Sequence, residues 1–408
     1  MDELHQKITE IRKNYAETHP GSTKTEENEK IQEIAEEAIR EKFPALLGIP
    51  LIARNSATDR RALFLYESGR FLNIAEAYNT RCEEFLSKSV KLDPSNGDAW
   101  KELGVCASKR NDKRYAVLCF QKAADLNRTA ETLTHLAISL RFASTKEIPE
   151  CYEKSSIRKY VIEILREATE MDPNYGPAHT ALGTGLFVQF FANNSCKMEL
   201  ILEACEQYRM GLEAGNEEPE AALNYATALR FLDKHNEALI YFDKACKLDV
   251  RDELGSKLRL KMFTDYLIKF QGAVAKGKKD GTKKKNLLKI LKAQPKPKDD
   301  DAIMMIVSAI VLHEEVCPLT LVVIDEHGES FGMTIFNSSP TFAFSIEHVL
   351  TIQRADLRHF EGCLLPRTDT YLASFYWIRI SDPRLLHRNN VAVPVAAVSL
   401  QTASIEAS

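Results

Sequence analysis

The stretch from Gly97 to Leu126, GDAWKELGVCASKRNDKRYAVLCFQKAADL, decides the fold of this chain. Trp100, Leu103 and Gly104 share one helical segment, and Ala116, Phe120 and Ala123 share the next. Small residues at Gly104 and Ala116 allow two helices to approach closely, while Trp100 and Phe120 are large enough to fill the wedge that opens beside them. The same order of small and large apolar residues returns near Pro219, with Ala226, Ala238, Phe242 and Ala245 at matching offsets.

A period of about 34 residues between Leu63 and Val250 identifies the tetratricopeptide repeat, a helix-turn-helix unit that buries its apolar face only by stacking on copies of itself. Two intermediate copies are longer. One holds Leu133, Leu136 and Ala137, then resumes at Val161, Leu165 and Ala168, with extra residues from Phe142 to Glu153 between its helices. The other holds Leu182 and Gly183, then resumes at Ala204, Tyr208 and Gly211 after an insert from Phe191 to Lys197. Gly69, Cys82, Leu86 and Pro94 mark an earlier, degenerate copy.

Outward from the repeats, the N-terminal segment is acidic and helical, with Ile8, Ile11, Tyr15, Ile31, Ile34, Ala35 and Ile39 at helical spacing. Between Lys276 and Lys298 ten lysines face the single Asp280, a composition read either as a solvated linker or as an anion-binding arm for RNA or a localisation signal. Beyond Asp301 the apolar period becomes strand-like. Expected strands are 302–312, 319–324, 330–336, 347–352, 372–380 and 391–398, with Gly328 in a hairpin turn. The expected class is α+β multidomain: an all-α superhelix followed by a β-barrel, for which the OB-fold is chosen. The expected divisions are an N-terminal helical region at 1–60, the solenoid at 61–275, a lysine-rich linker at 276–301, the β domain at 302–400 and a tail at 401–408. Consecutive Phe375, Tyr376 and Trp377 are read as packing, with a base-stacking platform as the alternative, and Leu357-Arg358-His359 as a loop surface.

The formal net charge of −4 on 408 residues excludes nothing by itself, and nine cysteines without CxxC spacing read as buried thiols rather than a disulfide framework. The charged N-terminus does not read as a signal peptide, no apolar run spans a bilayer, and no P-loop, GxGxxG or paired-histidine metal motif is present. The expectation is therefore a monomeric, non-enzymatic protein with neither metal nor cofactor, and no membrane partner.

A groove is the expected site. Groove-facing offsets on the first helix of each repeat give Asp98, Lys101, Val105 and Ser108, then Glu131, Thr134, Ile138 and Arg141, then Pro177, Thr180, Thr184 and Phe187, and last Glu220, Leu223, Thr227 and Arg230. Arg141 is suited to a bidentate fork onto a peptide carboxylate, or else to a structural ion pair. Glu220 is suited to a basic ligand side chain or to the positive end of its helix, and Asn224 to ligand backbone.

The run from Ser87 to Pro94 leading into Trp100, the segment Leu136 to Arg141, and Ala355 to His359 resemble the tetratricopeptide repeat protein 5 family, from about Leu63 to Val395. That resemblance implies recognition of the Met-Arg-Glu N-terminus of nascent tubulin at the ribosome, recruitment of an mRNA-decay adaptor, and hence tubulin autoregulation. It also implies the alternative of a nuclear stress-responsive transcriptional co-factor scaffolding an acetyltransferase and transcription factors, with cytoplasmic and nuclear localisation. By the same resemblance the peptide-binding arginine falls on Arg141, its acidic partner on Glu220, and ribosomal RNA contacts on Lys283 and Lys285, in the cluster that includes Lys284. The candidate groove set is thus Arg141, Glu220, Asn224, Lys101, Thr180, Thr184 and Arg230.

Overall fold

The computed structural model describes residues 2–42, 54–144, 146–153, 156–192, 197–279, 281–297, 302–314, 318–339, 343–352 and 356–394. The chain forms two compact units, one built from Met1–Gly185 with Arg209–Asn216, the other from Leu186–Tyr208 with Glu217–Glu406.

The first unit is helical. It holds α1 (Asp2–Lys13), α2 (Tyr15–Thr18), α3 (Lys24–Lys42), α4 (Arg54–Leu72), α5 (Thr80–Leu92), α6 (Gly97–Lys109), α7 (Lys113–Leu126), α8 (Ala130–Phe142) and α9 (Ile157–Met171), then the first half of α10 (Gly176–Ala192) and the last turn of α11 (Met198–Glu213). The repeats start where a short polar side chain can satisfy the first free backbone amides. Asn79 accepts from the amides of Arg81 and Cys82, Asn96 from Ala99, Asp112 from Tyr115, and Thr129 forms a reciprocal box with Thr132.

Close helix approach follows from the small residues. A methyl group added at Gly104 would lie 2.8 Å from the ring of Phe120, and one at Gly69 would lie 2.5 Å from Leu86. Gly69 on α4 and Leu86 on α5 make the degenerate copy a true helical pair. Phe120 also reaches the next repeat, stacking on His135 with ring centroids 5.1 Å apart. Ile8, Ile31 and Ala35 of the N-terminal helices share one buried cluster with Phe71, Leu86 and Leu103. The longer copy is accounted for by the residues between α8 and α9.

The second unit holds α12 (Pro219–Phe231), α13 (His235–Leu248), α14 (Ser256–Lys278) and α15 (Thr282–Lys292), followed by β1 (Ile303–Val311), β2 (Leu319–Asp325), β3 (Ser330–Ile335), β4 (Val349–Ile352), β5 (Asp356–Phe360), β6 (Cys363–Leu364), β7 (Tyr371–Leu372), β8 (Phe375–Ile380), β9 (Leu386–Arg388) and β10 (Val391–Ala392). Eight strands form one sheet in the order β10-β9-β4-β1-β2-β3-β8-β5, all antiparallel except β3 beside β8. The β2–β3 hairpin turns at Gly328, whose φ of +88° favours glycine.

Three expectations are corrected here. Among the described residues the sheet is not a closed barrel: β5 pairs with β8 alone, β10 with β9 alone, and these two edge strands are not joined. The face that closure would bury is buried without it: Met305, Val323, Met333, Leu350, Ile378 and Leu386, from six different strands, share one core cluster to which no helix contributes among the described residues. On one face Leu287 and Leu291 of α15 pack on Met304, Ile306, Ile324 and Val349, while the alternate residues Met305, Val307, Leu321 and Val323 belong to the cluster on the other face. Second, much of the segment read as a linker is helix, the end of α14 and all of α15. Third, Leu357-Arg358-His359 is an edge strand rather than a loop. The end of the last expected strand, 395–398, and the tail at 401–408 lie outside the described residues.

Candidate functional site

In the first unit, the offsets on α6 and α8 hold one tied cation and one arginine beside an aromatic ring. Lys101 Nζ lies 2.9 Å from Glu131 Oε2, and its side chain is largely buried. Burial alone would pull the Lys101 pKa down, but the carboxylates of Glu131, Glu102 and Asp98 outweigh it and raise it. Lys101 is therefore a strut between successive repeats. Thr134 is buried and donates its hydroxyl hydrogen bond to the carbonyl of Ala130, inside its own helix. Arg141 is half-buried in the last turn of α8, its guanidinium carbon 4.9 Å from the ring centre of Phe142, while Leu136, Ala137 and Leu140 of the same helix go to the core.

Thr180 on α10 faces a helix seam, which differs from the groove expected of it. Asn216 Nδ2 donates to Thr180 Oγ1 at 2.8 Å, and a methyl group at Gly211 would come within 2.7 Å of the same oxygen. Thr184 is buried and donates to the Thr180 carbonyl at 2.9 Å. The close glycine approach makes the Thr180 hydroxyl a packing atom, and the Thr184 hydroxyl turns back onto its own helix.

In the second unit, Glu220 is exposed in the first turn of α12, where a carboxylate is favoured by the positive end of the helix, and Asn224 is half-buried one turn on. Thr227 donates to the Leu223 carbonyl at 2.8 Å. Arg230 turns towards the sheet, lining a small cavity with Asp233, His235, Tyr266 and His313.

That end of α12 leads into a buried polar network, and nothing in the sequence pattern announced it. Asp233, at a φ of +58°, presents Oδ2 to Arg379 Nη1 at 3.0 Å, to the indole nitrogen of Trp377 at 3.2 Å and to Thr334 Oγ1 at 3.3 Å. Arg379 also donates to the Phe231 carbonyl at 2.7 Å and lies 3.9 Å from the ring centre of Phe336. His235 stacks on Trp377, and burial pushes its pKa down to about 4. Phe375 and Trp377 are thus packing residues, while the exposed Tyr376 between them stacks on His359.

The lysine cluster rides on α15. Lys283 Nζ donates to the Ser308 carbonyl at 3.0 Å, Lys284 Nζ to the Lys278 carbonyl at 3.4 Å, and Lys285 is exposed. Among the described residues no group of three or more His, Cys, Asp or Glu side chains gathers as a metal site.

Residues 283–402 match the family described as the tetratricopeptide repeat protein 5 OB fold domain, and residues 219–249 match a tetratricopeptide repeat. The chain is 23% identical over 413 aligned positions to tetratricopeptide repeat protein 5 of Mus musculus, covering 92% of this chain and 89% of that protein. It is 26% identical to the Homo sapiens protein of the same name over 61% of this chain, an alignment that spans about half of the relative, 54%. Among solved structures, YrrB, a TPR protein with an unusual peptide-binding site, is similar at 20% identity and a TM-score of 0.33, over 49% of this chain and 92% of that one. A chain of the APC/C hetero-tetramer Cut9-Hcn1 is similar at 14% identity and a TM-score of 0.40, over 61% and 45% of the two chains.

Proposed function

We propose, for a chain that carries the OB fold domain of the tetratricopeptide repeat protein 5 family and resembles that protein along most of its length, a non-enzymatic adaptor that recognises a short peptide on its repeats. The peptide is the Met-Arg-Glu N-terminus of nascent tubulin, read at the ribosome, and the consequence is decay of tubulin mRNA.

The observation that supports this reading is Arg141, an arginine beside the Phe142 ring on a helix whose opposite side is core. A guanidinium placed so is suited to a bidentate fork onto the glutamate of the peptide, and ring contact restricts the rotamers it would otherwise lose on binding. Lys101, tied to Glu131, is not the cation for this task. Glu220 is a separate candidate for a basic side chain, and the lysines of α15 for ribosomal RNA. Two modest contacts, one to peptide and one to RNA, restrict tight binding to ribosomes that display both, because the second contact becomes intramolecular.

The test is binding of a fluorescent Met-Arg-Glu-Ile peptide to the full chain and to Arg141→Ala. Saturable binding that falls about tenfold in the variant, a loss of about 1.4 kcal/mol, supports the reading. No binding by the unaltered protein at high concentration rejects peptide recognition and leaves the transcriptional scaffold as the reading to pursue.

A further inference from the structure

The second unit contains a cavity of about 610 Å³, bounded by the last turns of α14, the start of α15 and the outer half of β1. Its size lies within the range of small-molecule sites, roughly 300–1,000 Å³. Five lysines line it: Lys269 and Lys276 from α14, Lys279 from the turn, Lys283 and Lys284 from α15. No carboxylate lines it among the described residues, and Asp280 lies outside them. Its apolar lining is Ile268 from the helix, Ile310 from the strand and Leu312 just past the strand's end, with Ile268 and Leu312 exposed.

Two features show how the cavity is built. A side chain at Gly272 would meet nothing within 4 Å, so this mid-helix glycine leaves space where the rest of α14 packs on the sheet. At Gly277, one turn on, an added methyl group would collide with Ser330. Opposite, the pairing of β1 with β2 slips between Val307 and Ala309, a bulge at Ser308 whose carbonyl receives Lys283 Nζ. Bulges re-aim a strand locally and recur beside binding sites.

The lysines of α15 divide between two faces. Lys283 and Lys284 reach the cavity, whereas Lys285, Lys289 and Lys292, at i, i+4 and i+7, form an exposed stripe outside it. We infer that the cavity binds a phosphate-bearing small molecule, its phosphates among the five ammonium groups and its less polar body on Ile310 and Leu312. Lysine supplies point charges suited to several phosphate oxygens at once, and the bounded volume suits a ligand of limited size rather than a continuous strand. A free nucleotide and a phosphoinositide headgroup share this chemistry.

The test uses the full chain with two probes: ATP followed by calorimetry, and phosphatidylcholine vesicles containing phosphatidylinositol bisphosphate followed by co-sedimentation. Expected is saturable binding to at least one probe, weakened about tenfold or more by the Lys269→Glu/Lys276→Glu pair and by Gly272→Leu, which fills the cavity without altering charge, and unchanged in Lys285→Glu. Binding of ATP identifies a soluble ligand, and binding of vesicles alone identifies a lipid headgroup; both support the site. Should Gly272→Leu lose its cooperative melting, the lysine pair against Lys285→Glu decides alone. Binding to neither probe, equal loss in Lys285→Glu, retention in a folded Gly272→Leu, or binding confined to single-stranded RNA overturns it. Arg141→Ala leaves this binding intact, so failure here and failure of peptide recognition are distinguishable.

Discussion

Asp233 and Arg379 form a buried ion pair 3.0 Å long, with side chains only 1% and 2% exposed, and it joins the end of a repeat helix to a strand of the sheet. Removing one partner strands the other charge away from water, which costs roughly 3–5 kcal/mol, whereas replacing both can be close to neutral. Arg379→Met is therefore expected to destabilise the second unit more than Arg379→Met combined with Asp233→Asn, since the asparagine oxygen still accepts from Trp377. Urea denaturation of the two variants checks this order; a double variant weaker than the single would show that the pair acts chiefly as hydrogen bonds.

His235 ties the same junction to pH. Its folded pKa of about 4 lies below the ordinary value of 6.5, first because it is buried and then because Arg230 and Arg379 oppose a positive charge, although Asp233 favours one. The unfolded chain thus takes up a proton before the folded chain does. Stability from this group is complete above about pH 6.5, falls as the pH drops towards 4, and changes no further below that, a loss of about 3 kcal/mol if the full shift is expressed. Thermal melting of the unaltered protein and of His235→Gln between pH 7 and pH 4 should give a shallower slope for the variant. Equal slopes would mean that other groups carry the acid sensitivity.

The helical repeats were legible because their packing rule is local: a glycine and an aromatic at fixed offsets, as with Gly104 and Phe120, predict the helix pair that forms. The sheet was legible where a strand carries its own apolar run, as in β1, β2, β3, β4 and β8. β5 contains polar Asp356, Arg358 and His359, and its place is set by pairing with β8 rather than by its own alternation. Helix α15 was hidden by lysine density, although Leu287 and Leu291 at i, i+4 carried the signal for a docked face. For the candidate site, the offsets name residues on α6, α8, α10 and α12, but orientation within a helix depends on how close its neighbour comes. Gly211 brings that neighbour against Thr180, which no offset within one repeat encodes. Asp233 and Arg379 lie far apart in the chain, each with an unremarkable local context, so their pairing had no sequence signal.

The glycines give a prediction in which two effects of similar size compete. Glycine in a helix interior costs about 1 kcal/mol relative to alanine. At Gly272 nothing lies within 4 Å of an added methyl group, so Gly272→Ala is expected to stabilise by nearly that amount. At Gly104 the methyl group would press on the buried Phe120 ring at 2.8 Å, and overpacking of a well-filled core costs about 1–3 kcal/mol. Gly104→Ala is therefore expected to be destabilising despite its better helix propensity. Opposite signs in the melting temperatures confirm the balance, and stabilisation by Gly104→Ala would show that Phe120 can yield.

The exposed stripe of α15 offers the sharpest test of the proposed RNA contact. Lys285, Lys289 and Lys292 repeat along one face of a helix whose other side is fixed to the sheet by Leu287 and Leu291, so their spacing is rigid rather than that of a loose arm. A rigid row of ammonium groups neutralises neighbouring phosphates and releases the counterions condensed on them, and each contact contributes about 0.7 to the salt slope for a single strand. Replacing Lys285 and Lys289 by glutamine should flatten the dependence of log K on log salt by about 1.4 and weaken RNA binding without sequence preference. Stability should be unchanged, because both side chains are exposed. A salt slope that stays as steep in the variant would move the RNA contact off this stripe, to the cavity lysines or to another part of the chain.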